Sequence, residues 1–308
     1  MAGHIAILGV FVADTSYRAD RAPKLGETIL GNSFALGPGG KGSNQAVAAA
    51  RAGGQTHFLT RLGKDTFADL ALATWKDAGV IPEISQHEDE YTGAAYIFIE
   101  ESTGNNAIIV CPGAGMGITP TNIDACGDLI ASASVFVTQL EQPIDAAMRG
   151  LEIAKSGGAK TILNPAPAAE LPAEIFPLCD FVTPNETEAE GITGIKVTDI
   201  ASAKTAADAF LDLGVGAALI TLGENGALLG DKDGHVHVPA YDAGPVVETT
   251  GAGDAFNGGF AVGLSEGMEQ IEAAHFGSAT AAISVTRPGT APSMPKRDEI
   301  DALLRSVQ

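Results

Sequence analysis

The sequence predicts an α/β protein built on a doubly wound, mainly parallel β-sheet that is flanked by helices and accompanied by a small β-sheet lid. Short apolar runs at residues 4–10 and 160–163 have the length of strands that are buried on both faces. Helical patterns at residues 65–78 and 144–155 alternate with such runs along the chain. This alternation is typical of parallel sheets that are covered by helices on both faces.

The other elements follow the same two patterns. Short runs rich in apolar residues predict strands, and longer runs in which apolar residues recur every three or four positions predict helices. Further strands are predicted at residues 57–62, 92–100, 105–111, 135–140, 180–182, 217–222, 227–230 and 236–239. Further helices are predicted at residues 46–52, 123–131, 202–213, 254–266, 271–285 and 297–306.

Two segments depart from the alternation of strand and helix. Residues 12–38 and 91–112 contain strand-like runs without a helical period, and residues 101–104 join two of these runs as a hairpin loop would. We therefore predict that these segments form the lid. No internal repeat or linker divides the sequence, so we expect residues 1–308 to form a single domain.

The composition limits the partners of the protein. Of the 308 residues, 45% are hydrophobic and 18% are charged, and the net charge is −20. A nucleic-acid binder normally presents a basic face, so we expect no nucleic-acid partner. No apolar run has the length of a membrane span, and the three cysteines have neither disulfide-framework nor zinc-ligand spacing. We expect a cytoplasmic protein with reduced thiols and no membrane contact.

The motif Gly251-Ala252-Gly253-Asp254 precedes the helix predicted at 254–266. Glycines allow the backbone to approach a ligand closely, and the N-terminus of a helix offers free N–H groups to an anion. A carboxylate beside such an anion site can take a proton from a hydroxyl that attacks phosphorus. A glycine turn before an ordinary helix explains the same four residues, so the motif alone leaves both interpretations open.

The segment Gly39-Gly40-Lys41-Gly42-Ser43-Asn44-Gln45 also precedes a predicted helix. It is not a Walker A loop, because the lysine is followed by glycine rather than by serine or threonine. Its glycines give access to the backbone, and its polar side chains are hydrogen-bond donors that would suit a polyol. A turn with a helix cap explains the glycines but not the three polar side chains together.

Polar residues recur just after the predicted strands. The carboxyl ends of parallel strands share one edge of a sheet, so these side chains are expected to converge on one site. They are Asp14, Glu141, Asn164, Asn185, Glu188 and Thr221.

Seven blocks in order make nearly the whole chain resemble the ribokinase (PfkB-type) family of sugar kinases. The blocks are GGKGSNQAVAA (39–49), QLEQP (139–143), NPAPA (164–168), TPNETEAE (183–190), TLGENGA (221–227), TTGAGDAFNGG (249–259) and VTRPGTAPSMP (285–295). The resemblance implies a doubly wound α/β fold with a β-sheet lid, which agrees with the pattern of elements.

The resemblance implies an ATP-dependent kinase that phosphorylates the 5-hydroxyl of a pentose, with D-ribose as the first expectation. It further implies Mg²⁺, a potassium ion as a monovalent activator, and a homodimer formed through the lid. A kinase for 2-deoxyribose, another pentose or a nucleoside remains an alternative, as does a non-catalytic sugar sensor. The intact Gly251–Asp254 motif and the pair Asn185 and Glu188 weigh against the sensor.

The resemblance also assigns roles to residues. The implied catalytic set is the base Asp254, an anion hole formed by the N–H groups of Ala252, Gly253 and Asp254, and the preceding Gly251. The positions implied to hold the sugar, together with Asp254, are Val12, Asp14, Gly40, Lys41, Asn44 and Glu141. The residues implied to contact ATP are Asn185, Thr221, Gly223, Glu224, Gly226, Gly253 and Ser278. Glu188 is implied near Mg²⁺, and the implied potassium site is Glu248, Thr250, Ser284, Arg287, Gly289 and Ser293.

Two positions depart from the family pattern. Glu248 stands where the family usually has aspartate, so the cation loop must accommodate an additional methylene. Val12 stands where ribokinases usually have an asparagine that contacts the sugar. We expect Val12 to relax the discrimination between ribose and 2-deoxyribose, because valine cannot hydrogen-bond a hydroxyl.

Overall fold

A computed structural model describes residues 3–307, and this part of the chain contains thirteen strands and ten α-helices. The strands are β1 Ile5–Leu8, β2 Val12–Ala19, β3 Ser33–Gly39, β4 Thr56–Gly63, β5 Ile81–His87, β6 Thr92–Glu100, β7 Asn106–Gly113, β8 Val135–Thr138, β9 Lys160–Leu163, β10 Phe181–Val182, β11 Ala217–Thr221, β12 Ala227–Asp231 and β13 Gly234–Val238. The helices are α1 Lys41–Arg51, α2 Thr66–Ala78, α3 Pro120–Ala125, α4 Gly127–Ala131, α5 Ile144–Gly157, α6 Glu186–Thr193, α7 Ile200–Asp212, α8 Ala252–Ser265, α9 Gln270–Ser284 and α10 Arg297–Ser306.

Nine strands form the main sheet, in the order β13-β12-β11-β10-β9-β8-β1-β4-β5. The pairs from β5 to β11 are parallel, and β12 and β13 add an antiparallel edge. From β1 the chain first builds outward through β4 and β5 and then returns to β8 on the other side. The strand order therefore reverses between β1 and β8, where open α/β sheets bind their ligands. The predicted doubly wound, mainly parallel sheet is confirmed.

A separate small sheet has the order β3-β2-β6-β7. Strand β2 pairs with β6 in the parallel sense. Strand β3 pairs with β2, and β7 pairs with β6, both in the antiparallel sense. One face of this sheet exposes an aromatic cluster in which the ring centroid of Tyr17 lies 5.1 Å from that of Phe34 and 5.4 Å from that of Tyr96. The predicted second, smaller sheet is confirmed, and its strands lie close to the predicted lid segments.

Helices cover both faces of the main sheet. Helices α1, α2, α8, α9 and α10 bury residues such as Trp75 and Phe260 against one face. Helices α3 to α7 bury residues such as Leu151 and Phe210 against the other. Among the described residues, no helix is long and apolar enough to cross a membrane.

Two elements are absent from the prediction, and a third predicted element is divided in two. Strand β5 was missed because it is an edge strand in which Pro82 and Glu83 interrupt the apolar pattern, and edge strands tolerate such residues. Helix α6 was missed because a capping box of Asn185 and Glu188 starts it and few apolar residues follow. The single helix predicted at 123–131 is two short helices, α3 and α4, separated at Cys126.

Helix α1 begins at Lys41, earlier than the predicted start at residue 46. Gly40 precedes it with φ 87°, and a Cβ at this residue would lie 2.5 Å from the carbonyl oxygen of Val10. This position therefore requires glycine. Because the helix starts early, Asn44 and Gln45 lie inside it, and both side chains reach α8.

Helices α1 and α8 pack at very short distance around Gly258. A Cβ at this position would lie 2.5 Å from the Cβ of Ala48 and 2.8 Å from the carbonyl oxygen of Gln45. The contact therefore depends on the missing side chain of Gly258. It also fixes how far the first turn of α8 lies from Asn44 and Gln45.

We predict that Gly258→Ala destabilises the protein. The added methyl group has to push apart two helices at a backbone contact, which costs about 1–3 kcal/mol of the free energy of unfolding. Gly191→Ala is the matched control, because it also lies within a helix and its Cβ would meet only the Cβ of Ala168, at 3.8 Å. Urea denaturation of both variants measures the difference, and equal unfolding midpoints would contradict the prediction.

Candidate active site

The candidate site lies at the carboxyl ends of the central strands of the main sheet. Gln139 follows β8, Asn164 follows β9 and Thr183 follows β10, and all three side chains are buried. The N-terminal turns of α1 and α8 bring Gln45 and Asp254 to the same place. Of the side chains predicted to converge at the strand ends, Asn164 lies in this group, whereas Gln139 and Thr183 are not among the predicted ones.

The carboxylate of Asp254 is 7% exposed and accepts hydrogen bonds from two side-chain amides of α1. The Asn44 Nδ2 donates to Oδ2 at 2.9 Å, and the Gln45 Nε2 donates to Oδ1 at 3.1 Å. Burial raises the pKa of Asp254, while the charge of Lys41 and the two amides lower it. The result is an oriented carboxylate that binds a proton more readily than an exposed aspartate does.

A chain of buried hydrogen bonds continues from Gln45 across the strand ends. Gln45 also donates to the Asn164 Oδ1 at 3.0 Å and accepts a hydrogen bond from the Gln139 Nε2 at 2.6 Å. Asn164 in turn donates to the carbonyl of Thr183 at 2.9 Å. These bonds orient Gln45, and through Gln45 they orient the carboxylate of Asp254.

A second branch returns from the sheet to α8. The hydroxyl of Thr183 donates to the Asn257 Oδ1 at 2.6 Å, and the Asn257 Nδ2 donates to the carbonyl of Gly253 at 2.9 Å. Both side chains are buried. The first turn of α8 is therefore tied to β10 as well as to α1.

The start of α8 forms an open cradle of backbone N–H groups. Gly251 caps the helix with φ 84°, and the N–H of Ala252 donates to the carbonyl of Thr249 at 3.1 Å. Within residues 3–307 the N–H groups of Gly253 and Asp254 have no backbone acceptor. A Cβ at Gly253 would meet no atom within 4 Å. Two of the three predicted anion-hole donors thus have no backbone acceptor in the described part of the chain.

The Asn44 Oδ1 is a buried acceptor without a partner among the described residues. The side-chain amide of Asn44 is oriented by its nitrogen, which donates to Asp254, and this fixes where the Oδ1 lies. A buried acceptor that is left unpaired costs about 1–3 kcal/mol. A hydroxyl group bound beside Asp254 could supply the missing donor, so Asn44 is suited to hold a polyol.

Two further carboxylates lie near Asp254. The Glu141 Oε2 accepts a hydrogen bond from the backbone N–H of Lys41 at 2.7 Å. Burial raises the pKa of Glu141 to about 7, although the charge of Lys41 lowers it. Burial, followed by repulsion from Asp254, raises the pKa of Asp14 to about 6. Both carboxylates are therefore strong acceptors that lack a full set of partners.

The turn between the small sheet and α1 approaches Asp14 closely. A Cβ at Gly39 would lie 2.2 Å from the Asp14 Oδ2, so a larger residue here would displace this carboxylate. Val12 lies two residues before Asp14 on β2 and therefore on the same face of the strand. Its side chain is 4% exposed and packs with apolar residues such as Leu140. Val12 thus places an apolar surface beside a carboxylate.

Asn185, which is predicted to contact ATP, and Glu188, which is predicted near Mg²⁺, form the cap of α6. The Asn185 Oδ1 accepts from the N–H of Glu188 at 2.8 Å, and the Glu188 Oε2 accepts from the N–H of Asn185 at 2.9 Å. Burial raises the pKa of Glu188, and the charges of Lys41 and Asp254 act on it in opposite directions. Residues 3–307 contain no group of three or more His, Cys, Asp or Glu side chains that could hold a metal ion. Glu188 is thus a single carboxylate with one oxygen already engaged.

The other predicted nucleotide residues lie along a connected path. The N–H of Thr221 donates to the carbonyl of Pro184 at 2.9 Å. A Cβ at Gly226 would lie 2.1 Å from the carbonyl oxygen of Val238, and the buried Ser278 donates to the carbonyl of Pro239 at 3.2 Å. Gly223 has φ 55°, and Glu224 is exposed in the turn between these glycines. The structure therefore places these residues together around the end of β11.

The predicted cation loop brings two segments together. The Glu248 Oε2 accepts from the N–H of Gly289 at 2.8 Å, and the N–H of Glu248 donates to the carbonyl of Val285 at 3.1 Å. The bond from the Gly289 N–H to the Glu248 carboxylate shows how the loop accommodates the longer glutamate side chain. Thr250 is exposed, whereas Ser284 and Ser293 are buried and donate to the carbonyls of Ala281 and Thr290. The guanidinium of Arg287 pairs with Glu299.

Gln139, Thr183 and Asn257 lie in the quoted sequence blocks, but the sequence analysis assigned no role to them, and it indicated Gln45 only as part of a motif. Each side chain is buried and bonded to a residue that is distant in sequence. Isolated amides and hydroxyls at strand ends are common in proteins. Their shared position at the end of the sheet is the only feature that could have indicated them.

Comparison with known proteins identifies relatives along the whole chain. A ribokinase of Staphylococcus aureus strain COL is 38% identical over 304 residues, which cover 98% of this chain and 99% of that protein. A deoxyribokinase of Salmonella typhimurium is 35% identical over 302 residues, which cover 97% of this chain and 98% of that protein. The chain spans 55% of a further relative, a bifunctional ribokinase/ribose-5-phosphate isomerase A of Fructilactobacillus sanfranciscensis.

The fold and the family model agree with these relatives. A solved structure of Arabidopsis thaliana ribokinase complexed with ribose and ATP has a TM-score of 0.94 and 32% identity, over 99% of each chain. The model of the "pfkB family carbohydrate kinase" matches residues 3–297. Since this match includes both glycine motifs and every strand-end residue of the candidate site, the chain belongs to the pfkB family of carbohydrate kinases.

Proposed function

We propose that this protein is an ATP-dependent kinase that phosphorylates the 5-hydroxyl of D-ribose and forms D-ribose 5-phosphate. The observation that carries the proposal is the buried, oriented carboxylate of Asp254 beside two free N–H groups of α8. This arrangement combines a proton acceptor with an anion cradle, as phosphoryl transfer to a hydroxyl requires. The relatives named ribokinase support ribose as the sugar, and the solved structure with ribose and ATP supports both substrates.

In the proposed reaction, Asp254 takes the proton of the 5-hydroxyl as its oxygen attacks the γ-phosphorus of ATP. A new O–P bond forms, the bond to the β-phosphate oxygen breaks, and ADP leaves. The raised pKa of Asp254 makes the carboxylate a better base than an exposed aspartate. The N–H groups of Gly253 and Asp254 stabilise the charge on the transferred group. Asp14, Glu141 and Asn44 accept hydrogen bonds from the other sugar hydroxyls.

Two metal ions complete the proposal. Mg²⁺ would neutralise part of the phosphate charge, and Glu188 would contribute through water, because the described residues offer no multi-carboxylate metal site. A potassium ion would be held by the loops around Glu248 and Gly289, with Thr250, Ser284, Arg287 and Ser293 in the same loops. Equal rates in potassium and in a bulky organic cation would contradict this second site.

A second candidate substrate is 2-deoxyribose. Val12 favours it, because an apolar side chain beside Asp14 contacts a carbon without a hydroxyl better than it contacts an alcohol. The relative named deoxyribokinase, which is 35% identical to this chain, supports 2-deoxyribose as the second candidate.

We also propose a homodimer formed through the small sheet, which would act as a lid. Its outer face exposes Tyr17, Phe34 and Ile109 to 42%, 58% and 63%. These side chains lie on one face by strand register and form an apolar surface that a second copy could cover. Sedimentation velocity over a range of concentrations tests this, and a monomer throughout would contradict it. The cytoplasmic location stays a prediction.

We predict that Asp254→Asn lowers kcat by about 10²–10⁴-fold while sugar binding persists, because only the proton acceptor is lost. Coupled assays measure turnover, and calorimetry measures sugar binding. Asp69→Asn is the matched control, since Asp69 lies in the first turn of α2 and is exposed. Near-normal turnover in Asp254→Asn would remove this residue from the mechanism.

We predict that the sugar-free protein becomes less stable as the pH rises from about 4 to about 7. The pKa of Asp14 is raised from 3.8 to about 6, so its contribution to stability is present below pH 3.8 and is lost as the pH rises through about 6. Glu141 acts in the same way through about pH 7. Asp14→Asn should flatten this decline and stabilise the protein by about 1–3 kcal/mol at high pH. Parallel stability curves for wild type and Asp14→Asn would refute the assignment.

We predict that Val12→Asn shifts the preference toward ribose. The asparagine can hydrogen-bond a sugar hydroxyl, which is worth about tenfold in the ratio of kcat/KM for ribose to that for 2-deoxyribose. The experiment compares this ratio in wild type and variant, and the free energy of unfolding of both proteins shows whether the buried amide is tolerated. An unchanged ratio in a folded variant would mean that Val12 serves packing alone.

A further inference from the structure

Thr290 lies in the loop between α9 and α10, and several bonds fix this loop to the body of the protein. The Arg51 Nη1 donates to the carbonyls of Ala291, Pro292 and Met294 at 3.1 to 3.2 Å. The Glu248 carboxylate holds the N–H of Gly289. These hydrogen bonds therefore hold the loop around Thr290 in place.

The side chain of Thr290 contacts two parts of the candidate site. Its hydroxyl donates to the carbonyl of Pro38, near the end of β3, at 2.8 Å. On its other side it packs against Gly251, where an added Cβ would lie 3.3 Å from both the Cα and the Cβ of Thr290. One residue thus joins the small sheet to the residue that caps α8.

The position of Pro38 determines what this bond can control. Gly39 follows it and contacts the carboxylate of Asp14, and Lys41 donates its backbone N–H to Glu141. A shift of the Pro38 carbonyl therefore moves the turn that sets both carboxylates. Gly251, at the other end of the contact, begins the turn that presents the N–H groups of Gly253 and Asp254.

We propose that Thr290 is a positioning residue that holds the sugar-binding turn in register with the anion cradle. The proposal rests on the proposed sugar kinase function, because it assigns the two ends of the contact to the sugar and to the transferred phosphoryl group. Thr290 touches neither substrate and acts through Pro38 and Gly251. Loss of its hydroxyl releases the turn while the packing against Gly251 remains.

The test compares three variants. Thr290→Val keeps the shape of the side chain and removes the hydroxyl, and Thr290→Ser keeps the hydroxyl. Thr286→Val is the matched control, because this half-buried threonine of the same loop donates only to the carbonyl of Ile283, at 2.7 Å. Steady-state kinetics with the pentose and with ATP is combined with hydrogen exchange of β3 and with urea denaturation.

In Thr290→Val we expect kcat/KM for the sugar to fall roughly three- to tenfold, mainly through a higher KM, with little change in the KM for ATP. Amide exchange in Ser33–Gly39 should become faster. Thr290→Ser should restore both values, and Thr286→Val should resemble wild type. A loss of stability without these two changes would mean that the hydroxyl serves only structure and would overturn the proposal.

The exchange measurement does not depend on turnover. If the wild type phosphorylates no pentose, the proposed function fails, and exchange in β3 still decides whether Thr290 holds the turn. If Thr290→Val and Thr286→Val show the same exchange and the same sugar KM, Thr290 does not position the site.

Discussion

The buried carboxylate of Asp254, held by two amides of α1, is the constraint on which the site depends. A buried charge is costly unless it is hydrogen-bonded, and Asn44 and Gln45 supply those bonds across a helix contact. The two helices approach closely enough only because Gly258 has no side chain. The same contact therefore serves the packing of the core and the orientation of the candidate base.

The electrostatics of the site oppose the stability of the sugar-free protein. Burial raises the pKa of Asp14, Glu141 and Asp254, and the charge of Asp254 raises the pKa of the other two further, whereas the charge of Lys41 lowers the pKa of Glu141 and Asp254. The unpaired Asn44 Oδ1 adds a further cost. In the proposed function, the hydroxyl groups of a sugar would donate to these acceptors and offset part of the cost. Such a competition between function and stability is common at binding sites.

The fold could be predicted because its signals are local. Apolar runs and helical periods give the alternation of the main sheet, whereas β5 and α6 escaped because Pro82 and a polar capping box conceal their patterns. In the site, Asp254, Lys41 and Asn44 belong to glycine-rich motifs that can be seen in the sequence. Gln139 and Thr183 do not, and Asn257 lies in such a motif without an indicated role, because the hydrogen bonds of these three side chains join residues that only the tertiary fold brings together.

Catalysis and sugar preference are set by different parts of the structure. The candidate base and cradle depend on the packing of α8 against α1 and on the buried amides beneath it. The proposed apolar contact with the sugar would depend on one position of β2, where Val12 and Asp14 share a face because alternate residues of a strand do so. A substitution at residue 12 can therefore change the hydroxyl pattern that is recognised without moving Asp254. Under the proposed function, sugar preference could therefore change at one strand position while the candidate base and its supporting bonds stay in place.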